Sequence, residues 1–258
     1  MEKLILAEKE YLDSKLGIRE LSKKYSVNRQ VLTGWLMAKG FQIKNRRAEK
    51  SFNIEVFNNI DTEEKAYWLG FLFADGSVNR YKNSYTIELS LASKDRLHLE
   101  KFAKFIGKEK MYSDDIRSRI SIGSKEMFYK LIEHGCTENK SLTLKFPNKN
   151  IFEDESLLIH FIRGYFDGDG CVSHSDKEKK RVSVSILGTK DFLSNLNKIA
   201  YPEKEMKLHN ENNIYILSFN GRTAIKFLSR LYDNSSVYLE RKKEKYIEYC
   251  RLYKELYR

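Results

Sequence analysis

Two aspartates in matching contexts are the residues of this sequence best placed to do chemistry. Asp75 ends the apolar segment 66–76, and Asp169 ends the apolar segment 160–170, 94 residues further along the chain. Each is followed by glycine, a small residue and valine. Paired carboxylates are ligands that divalent cations use in proteins. The repeated spacing therefore predicts a duplicated unit with a divalent-metal site between its two copies.

The elements that carry these aspartates are predicted to be buried helices that pack against each other. A carboxylate in the last turn of a helix faces the negative end of the dipole, which costs roughly 0.3–1 kcal/mol. Gly70 and Gly164 each cost up to ~1 kcal/mol inside a helix, and such glycines suit helices whose backbones approach closely. We expect the helices to meet at Gly70 and Gly164 and to present Asp75 and Asp169 side by side. The glycine after each aspartate is expected to end its helix in the left-handed conformation. Two ordinary core helices with incidental Asp-Gly ends remain the alternative.

At these segments the sequence resembles the LAGLIDADG homing endonucleases, in their single-chain form with two motifs. The nine-residue motif of that family aligns with residues 68–76 and 162–170. Its eighth position, the metal-binding acid of the family, falls on Asp75 and Asp169. The resemblance implies that both aspartates are catalytic and bind metal, with Mg²⁺ or another divalent cation such as Mn²⁺ as cofactor. The backbone at position 74 (Ala74) stays open as a further ligand.

The two motif copies differ at the sixth position, where the first has Phe73 and the second has Asp167. That acid is not the usual catalytic one of the family, so the resemblance still implies activity. Lys140 and Lys242 each end their unit at a comparable place. They are candidates for stabilising the charge of the phosphorane, with ordinary surface lysines as the alternative.

The remaining pattern predicts an α+β fold of two pseudo-symmetric αββαββα units, residues 61–150 and 151–258, that form a saddle of antiparallel sheets. Alternation over residues 116–122 directs Arg117 and Arg119 away from the core, so these two arginines are the first candidates for base readout. An amphipathic helix is predicted over residues 94–106, with Leu97, Phe102, Phe105 and Ile106 on its apolar face.

A separate all-α module is predicted over residues 1–41, and it resembles the helix-turn-helix of DNA-binding proteins. A generic helical hairpin is the alternative, and Gly34 inside the third helix counts against the helix-turn-helix interpretation. Residues that would begin the recognition helix and contact DNA are Asn28, Arg29, Gln30 and Thr33. Residues 42–60 read as a basic linker in which Arg46 and Arg47 would follow the DNA backbone, although a solvated linker is an equal alternative.

Composition supports a polyanionic partner and an intracellular protein. The 258 residues carry a formal charge of +11, with 41% hydrophobic residues. The three cysteines show no paired or metal-ligand spacing, which is typical of a reducing compartment. The sequence has no signal peptide and no membrane-spanning stretch. We therefore expect a monomer, not secreted, in the cytoplasm, an organelle or a phage-infected cell.

These features favour a site-specific endonuclease, either intron-encoded or free-standing, that cuts double-stranded DNA at a long asymmetric site. A transcriptional regulator of the same fold is one alternative. A maturase that binds intron RNA is another. An intein-borne nuclease fits less well, because the chain starts with Met and ends Leu256-Tyr257-Arg258 rather than with His-Asn.

Overall fold

The computed structural model describes residues 1–14, 16–41, 43, 52–174, 181–212 and 214–256. The chain divides into two compact units, Met1–Phe52 and Asn53–Arg258. Within the described part of the chain, no helix combines the length and the apolar character needed to cross a membrane.

The described residues of the N-terminal unit form three helices: α1 (Glu2–Asp13), α2 (Ile18–Lys24) and α3 (Arg29–Ala38). Its core is a set of fully buried side chains: Ala7, Tyr11, Leu21, Leu32 and Leu36. Tyr25, Val27 and Trp35 are partly buried and pack against this core.

The first half of the larger unit follows the predicted order of helix, strand pair, helix, strand pair and helix. Its elements are α4 (Glu63–Ala74), β1 (Gly76–Tyr81), β2 (Ser84–Ala92), α5 (Arg96–Phe105), β3 (Tyr112–Ser113), β4 (Arg117–Gly123) and α6 (Lys125–Glu133). The strands form an antiparallel sheet in the order β1-β2-β4-β3.

The second half repeats this arrangement and adds a C-terminal helix. Its elements are α7 (Leu157–Asp169), β5 (Gly170–His174), β6 (Val182–Gly188), α8 (Lys190–Ala200), β7 (Leu208–Glu211), β8 (Ile214–Asn220), α9 (Arg222–Tyr232) and α10 (Glu240–Leu256). The sheet order, β5-β6-β8-β7, matches that of the first half. The predicted fold class, α+β with two antiparallel sheets in pseudo-symmetric halves, is confirmed.

Each sheet buries one face under helices and leaves the other exposed, as period-two alternation requires. In β4, Ser118, Ile120 and Ile122 are buried, whereas Arg117 and Arg119 are exposed.

One assignment in the predicted helix over 94–106 is wrong. Leu97 is 72% exposed, because α5 turns His98, Leu99, Phe102 and Ala103 towards the core instead. The start of that predicted helix is a 3₁₀ turn, Ser93–Asp95, and the α-helix begins at Arg96.

Candidate functional site

The site is built on the crossing of α4 and α7, where two glycines remove any side chain between the backbones. A Cβ added at Gly70 would lie 1.9 Å from the carbonyl oxygen of Phe161, and one at Gly164 would lie 1.9 Å from that of Tyr67. No real Cβ fits at such distances, so both positions require glycine. The two contacts mirror each other, and the crossing therefore brings the C-terminal ends of both helices to the same place.

Close approach continues to the last turn, where the aspartates lie. A Cβ on Gly168 would lie 2.3 Å from the Cβ of Ala74 and 3.3 Å from Oδ2 of Asp75. The carboxylate of the first helix thus lies against the final turn of the second, one residue before Asp169. The structure brings together the two acids that the sequence singled out.

The glycines that follow the aspartates serve a different purpose from the predicted one. Neither Gly76 nor Gly170 has a positive φ: Gly76 opens β1, and Gly170 is extended at φ −85° and ψ 154°. A Cβ at Gly76 would lie 2.6 Å from the carbonyl oxygen of Leu72, and one at Gly170 would lie 2.5 Å from that of Phe166. Glycine is needed because each strand turns back tightly over its helix, and the prediction of a left-handed cap is wrong.

Electrostatics at the aspartates favour a cation. Asp75 is exposed on one side and Asp169 is half-buried. Burial against the surrounding protein, and then the charge of Asp169, raise the pKa of Asp75 to about 6. Burial likewise raises the pKa of Asp169. Two carboxylates held together in this way repel each other, and a divalent cation would relieve that repulsion.

The two predicted lysines lie at the ends of the motif helices, but they contact the backbone. Lys242 is 2% exposed, and its Nζ donates to the carbonyl oxygens of Phe166 (2.6 Å), Asp167 (2.8 Å) and Gly170. Its three hydrogens are therefore occupied, and burial lowers its pKa to about 8. Lys140 donates in the same manner to the carbonyl oxygen of Gly76.

These contacts change what the lysines can do. Lys242 has no hydrogen left to donate to a phosphate, so the stabilisation of the phosphorane predicted for it would act through its charge and not through a hydrogen bond. The positive charges of Lys242 and Lys140 nevertheless lower the pKa of both Asp75 and Asp169, against the opposing effect of burial. They act on the site through their charge, and they satisfy carbonyls at the helix ends.

Asp167, the additional acid of the second motif, is not part of the open site. It is fully buried and accepts hydrogen bonds from the hydroxyls of Tyr67 (2.8 Å) and Tyr232 (2.5 Å) and from the amide of Leu239 (2.7 Å). Its counterpart, Phe73, packs edge-on against Phe161 at 5.0 Å between ring centroids. Asp167 therefore fastens the two halves together and cannot reach a metal in the cleft.

The second motif also contains a buried arginine that the sequence pattern did not single out. Arg163 is 1% exposed; its Nη2 donates to Glu63 at 2.5 Å, and its other donors reach the carbonyls of Leu231 and Val237. An arginine inside an otherwise apolar helix was the available signal. The pair ties the start of α4 to the second half and so holds the crossing in place.

The donor set fits a divalent metal that is only partly coordinated by protein. Among the described residues, no group of three or more His, Cys, Asp or Glu could hold a metal ion. Mg²⁺ commonly binds through one or two carboxylates and completes its shell with waters and substrate phosphate oxygens. Asp75 and Asp169 supply that number of carboxylates beside an open surface.

The predicted DNA-contacting residues occupy different surroundings. Arg117 and Arg119 are exposed on the first sheet, and the guanidinium of Arg119 lies 3.7 Å from Glu88 and over the ring of Tyr112. In the N-terminal unit, Arg29 and Gln30 are exposed.

The other residues predicted to contact DNA either make hydrogen bonds within α3 or lie outside the described residues. Oδ1 of Asn28 caps α3 by accepting from the amide of Gln30 at 2.8 Å, and the hydroxyl of Thr33 donates to the carbonyl of Arg29 at 2.8 Å. Arg46 and Arg47 lie outside the described residues.

Comparisons with known proteins give one family match and several relatives. Residues 156–232 match the family described as LAGLIDADG-like domain. An uncharacterised protein of Methanocaldococcus jannaschii is 30% identical over 128 residues, which is 46% of each chain. The replication factor C small subunit of the same organism is 27% identical over 231 residues, 83% of this chain but 12% of that protein. This chain therefore spans less than half the length of either curated relative.

A solved structure extends the match across both halves. The LAGLIDADG meganuclease I-AabMI, crystallised bound to uncleaved DNA, superposes with a TM-score of 0.50 at 14% identity, covering 74% of this chain and 90% of the other. At this identity the likeness concerns the fold. The resemblance seen in the two motifs is thus confirmed: this chain carries a LAGLIDADG-like domain and has the single-chain, two-motif LAGLIDADG fold.

Proposed function

We propose that this chain is a metal-dependent endonuclease that hydrolyses phosphodiesters of double-stranded DNA at a long, asymmetric site. One observation carries the proposal: the glycine crossing of α4 and α7 brings Asp75 and Asp169 together at an open surface. The formal charge of +11 and the DNA-bound state of the structural neighbour support a DNA partner.

In this proposal Asp75 and Asp169 hold Mg²⁺ or Mn²⁺. The cation, when bound, polarises the scissile phosphate and lowers the pKa of a water nucleophile. The chain's own contribution is to hold the two carboxylates adjacent and, through nearby positive charge, to offset part of the burial that raises their pKa values. Lys140 and Lys242 favour the ionised forms, and the buried contacts of Asp167 and its neighbours fix the helix ends that carry the acids.

The two halves share one polypeptide and differ in sequence, so the target is not expected to be palindromic. A single chain supplies both aspartates, which suits a monomer. A free-standing or intron-encoded homing nuclease, working inside the cell, is the biological setting that we infer.

The N-terminal unit would add a second DNA-binding surface. Arg29 and Gln30 are exposed where α3 begins, and recognition helices contact base edges with their N-terminal residues. Gly34 lies exposed on the same helix, and a Cβ there would meet nothing within 4 Å. The fold therefore does not require glycine at this position. A partner that approaches the helix closely, such as DNA, would require it.

Cleavage of a randomised plasmid library tests the proposal. Asp75→Asn and Asp169→Asn should each lower cleavage at least ~100-fold, because each removes a ligand worth several kcal/mol in the transition state, while DNA binding persists. Asp191→Asn, at an exposed helix start, is the matched control and should cut like the wild type. Wild-type cleavage by both site variants, or cleavage unaffected by EDTA, would overturn the metal-site assignment. Specific binding without cleavage by the wild type would favour a regulator.

A further inference from the structure

The exposed faces of the two sheets can be compared position by position, because both sheets begin at an aspartate. Asp75 leads into β1, where Gly76 pairs with Leu89; Asp169 leads into β5, where Gly170 pairs with Ile186. The next outward residues, Ser90 on β2 and Leu187 on β6, are therefore equivalent.

The same register extends to the third strand of each sheet. Ser90 pairs with Arg119 in the first sheet, and Leu187 pairs with Ile216 in the second. Arg119 and Ile216 are thus equivalent positions. Two residues earlier, on the same outward faces, Arg117 is equivalent to Ile214.

These equivalent positions have opposite chemistry. In the first sheet, the guanidinium groups of Arg117 and Arg119 are exposed, and that of Arg119 lies 3.7 Å from the carboxylate of Glu88. In the second sheet, Leu187 is 46% exposed and Ile214 is 39% exposed. No residue of β5–β8, as the structure describes them, is a lysine or an arginine. Ser185 is the next outward residue along β6, and it pairs with Ser218 on β8. Across the β7–β8 pair, His209 lies opposite Ile216 and Glu211 lies opposite Ile214.

If the outward faces of the sheets enter the major groove of the DNA target, each set of side chains has a preferred base. Arginine donates two hydrogen bonds to guanine, a carboxylate accepts from cytosine, and aliphatic side chains contact the methyl group of thymine. Contact with solvent does not stabilise the exposed leucine and isoleucine side chains, whereas thymine methyl groups in the major groove would bury their apolar surface.

We propose that the first sheet reads a guanine-containing half-site through Arg117 and Arg119, whereas the second sheet reads a thymine-rich half-site through Leu187, Ile214 and Ile216. This inference rests on the proposed endonuclease function. The asymmetry of the target then comes from symmetry-equivalent positions that carry different side chains in the two sheets.

Reciprocal substitutions in the full chain test this inference. Arg119→Ile and Ile216→Arg are assayed by selection of cleaved sites from a randomised duplex library with Mg²⁺, beside the wild type. Arg119→Ile should shift one position of the first half-site from guanine towards thymine. Ile216→Arg should shift the equivalent position of the other half-site from thymine towards guanine. Each preference should change by about 5- to 150-fold, the discrimination expected of one bidentate contact.

Leu97→Arg is the matched control, because it adds an arginine at an exposed leucine on the helical side of the first sheet. It should leave the selected site unchanged. Selection of a site that neither reciprocal substitution alters, or a guanine preference opposite Ile216 in the wild type, would overturn this inference while the endonuclease stands. Failure of the wild type to select any DNA site, including the case in which it binds only structured RNA, would refute the proposed function and this inference together.

Discussion

Replacing Asp75 by asparagine should stabilise the fold while it removes a metal ligand. The substitution keeps the shape of the side chain and deletes a charge that burial and Asp169 disfavour. The pKa of Asp75 lies at about 6, against an ordinary 3.8. Without solvent screening, that pKa difference would correspond to about 3 kcal/mol in the free energy of unfolding. Because Asp75 is exposed on one side, solvent screening reduces the expected gain to about 1 kcal/mol.

The sign follows from linkage. The pKa of Asp75 is higher in the folded chain than in the unfolded chain, so the folded chain binds the proton more tightly. The wild type therefore loses stability as pH rises from about 4 to about 6, and the loss is complete above the folded pKa. Asparagine does not titrate, so Asp75→Asn should match the wild type near pH 4 and exceed it above pH 6.

Urea unfolding from pH 4 to pH 8 in EDTA measures this difference. A Trp35→Phe background leaves Trp68, fully buried in α4, as the remaining tryptophan and reports on the larger unit. Asp191→Asn, with an exposed side chain, supplies the control for loss of a charge. If Asp75→Asn is less stable than the wild type at pH 8, or its advantage does not grow between pH 4 and pH 6, the electrostatic reasoning is wrong.

Two further predictions concern Lys242 and Gly34. Lys242→Met should lower the free energy of unfolding of the larger unit by about 3 kcal/mol, because several buried carbonyls lose their donor. Lys94→Met, at an exposed lysine, is the control and should change the free energy of urea unfolding little. A loss below 1 kcal/mol for Lys242→Met would contradict the assigned contacts. Gly34→Ala should stabilise the N-terminal unit by up to ~1 kcal/mol, as followed by Trp35 fluorescence, yet weaken binding of the full chain to duplex DNA. Unchanged DNA affinity with raised stability would show that α3 does not lie close to DNA.

Local sequence patterns were sufficient to predict the two sheets and the pairing of the two aspartates. Alternation in β4 predicted its outward arginines, because strand burial has a period of two residues. The matched motifs predicted the meeting of Asp75 and Asp169, because each lies a fixed distance beyond a helix-crossing glycine.

Features that depend on distant partners were not predictable. Lys242 reaches carbonyls more than 70 residues away in sequence, and Arg163 binds Glu63 across 100 residues. No local pattern encodes such contacts. The left-handed cap was wrong for a related reason: the need for glycine after each aspartate arises from the strand folding back over its helix, which is a tertiary constraint.

The buried polar contacts between α4 and α7 also decide which halves can pair. Along the 94-residue repeat, the position of Glu63 in the first half corresponds to Leu157 in the second, and that of Tyr67 corresponds to Phe161. Two copies of the second half, packed in the same way, would bury Arg163 without its carboxylate and Asp167 without its Tyr67 donor. Uncompensated buried charge is strongly destabilising, so self-association of that half is selected against. The first half therefore cannot be replaced by a second copy of the second half without leaving Arg163 and Asp167 buried and without these partners.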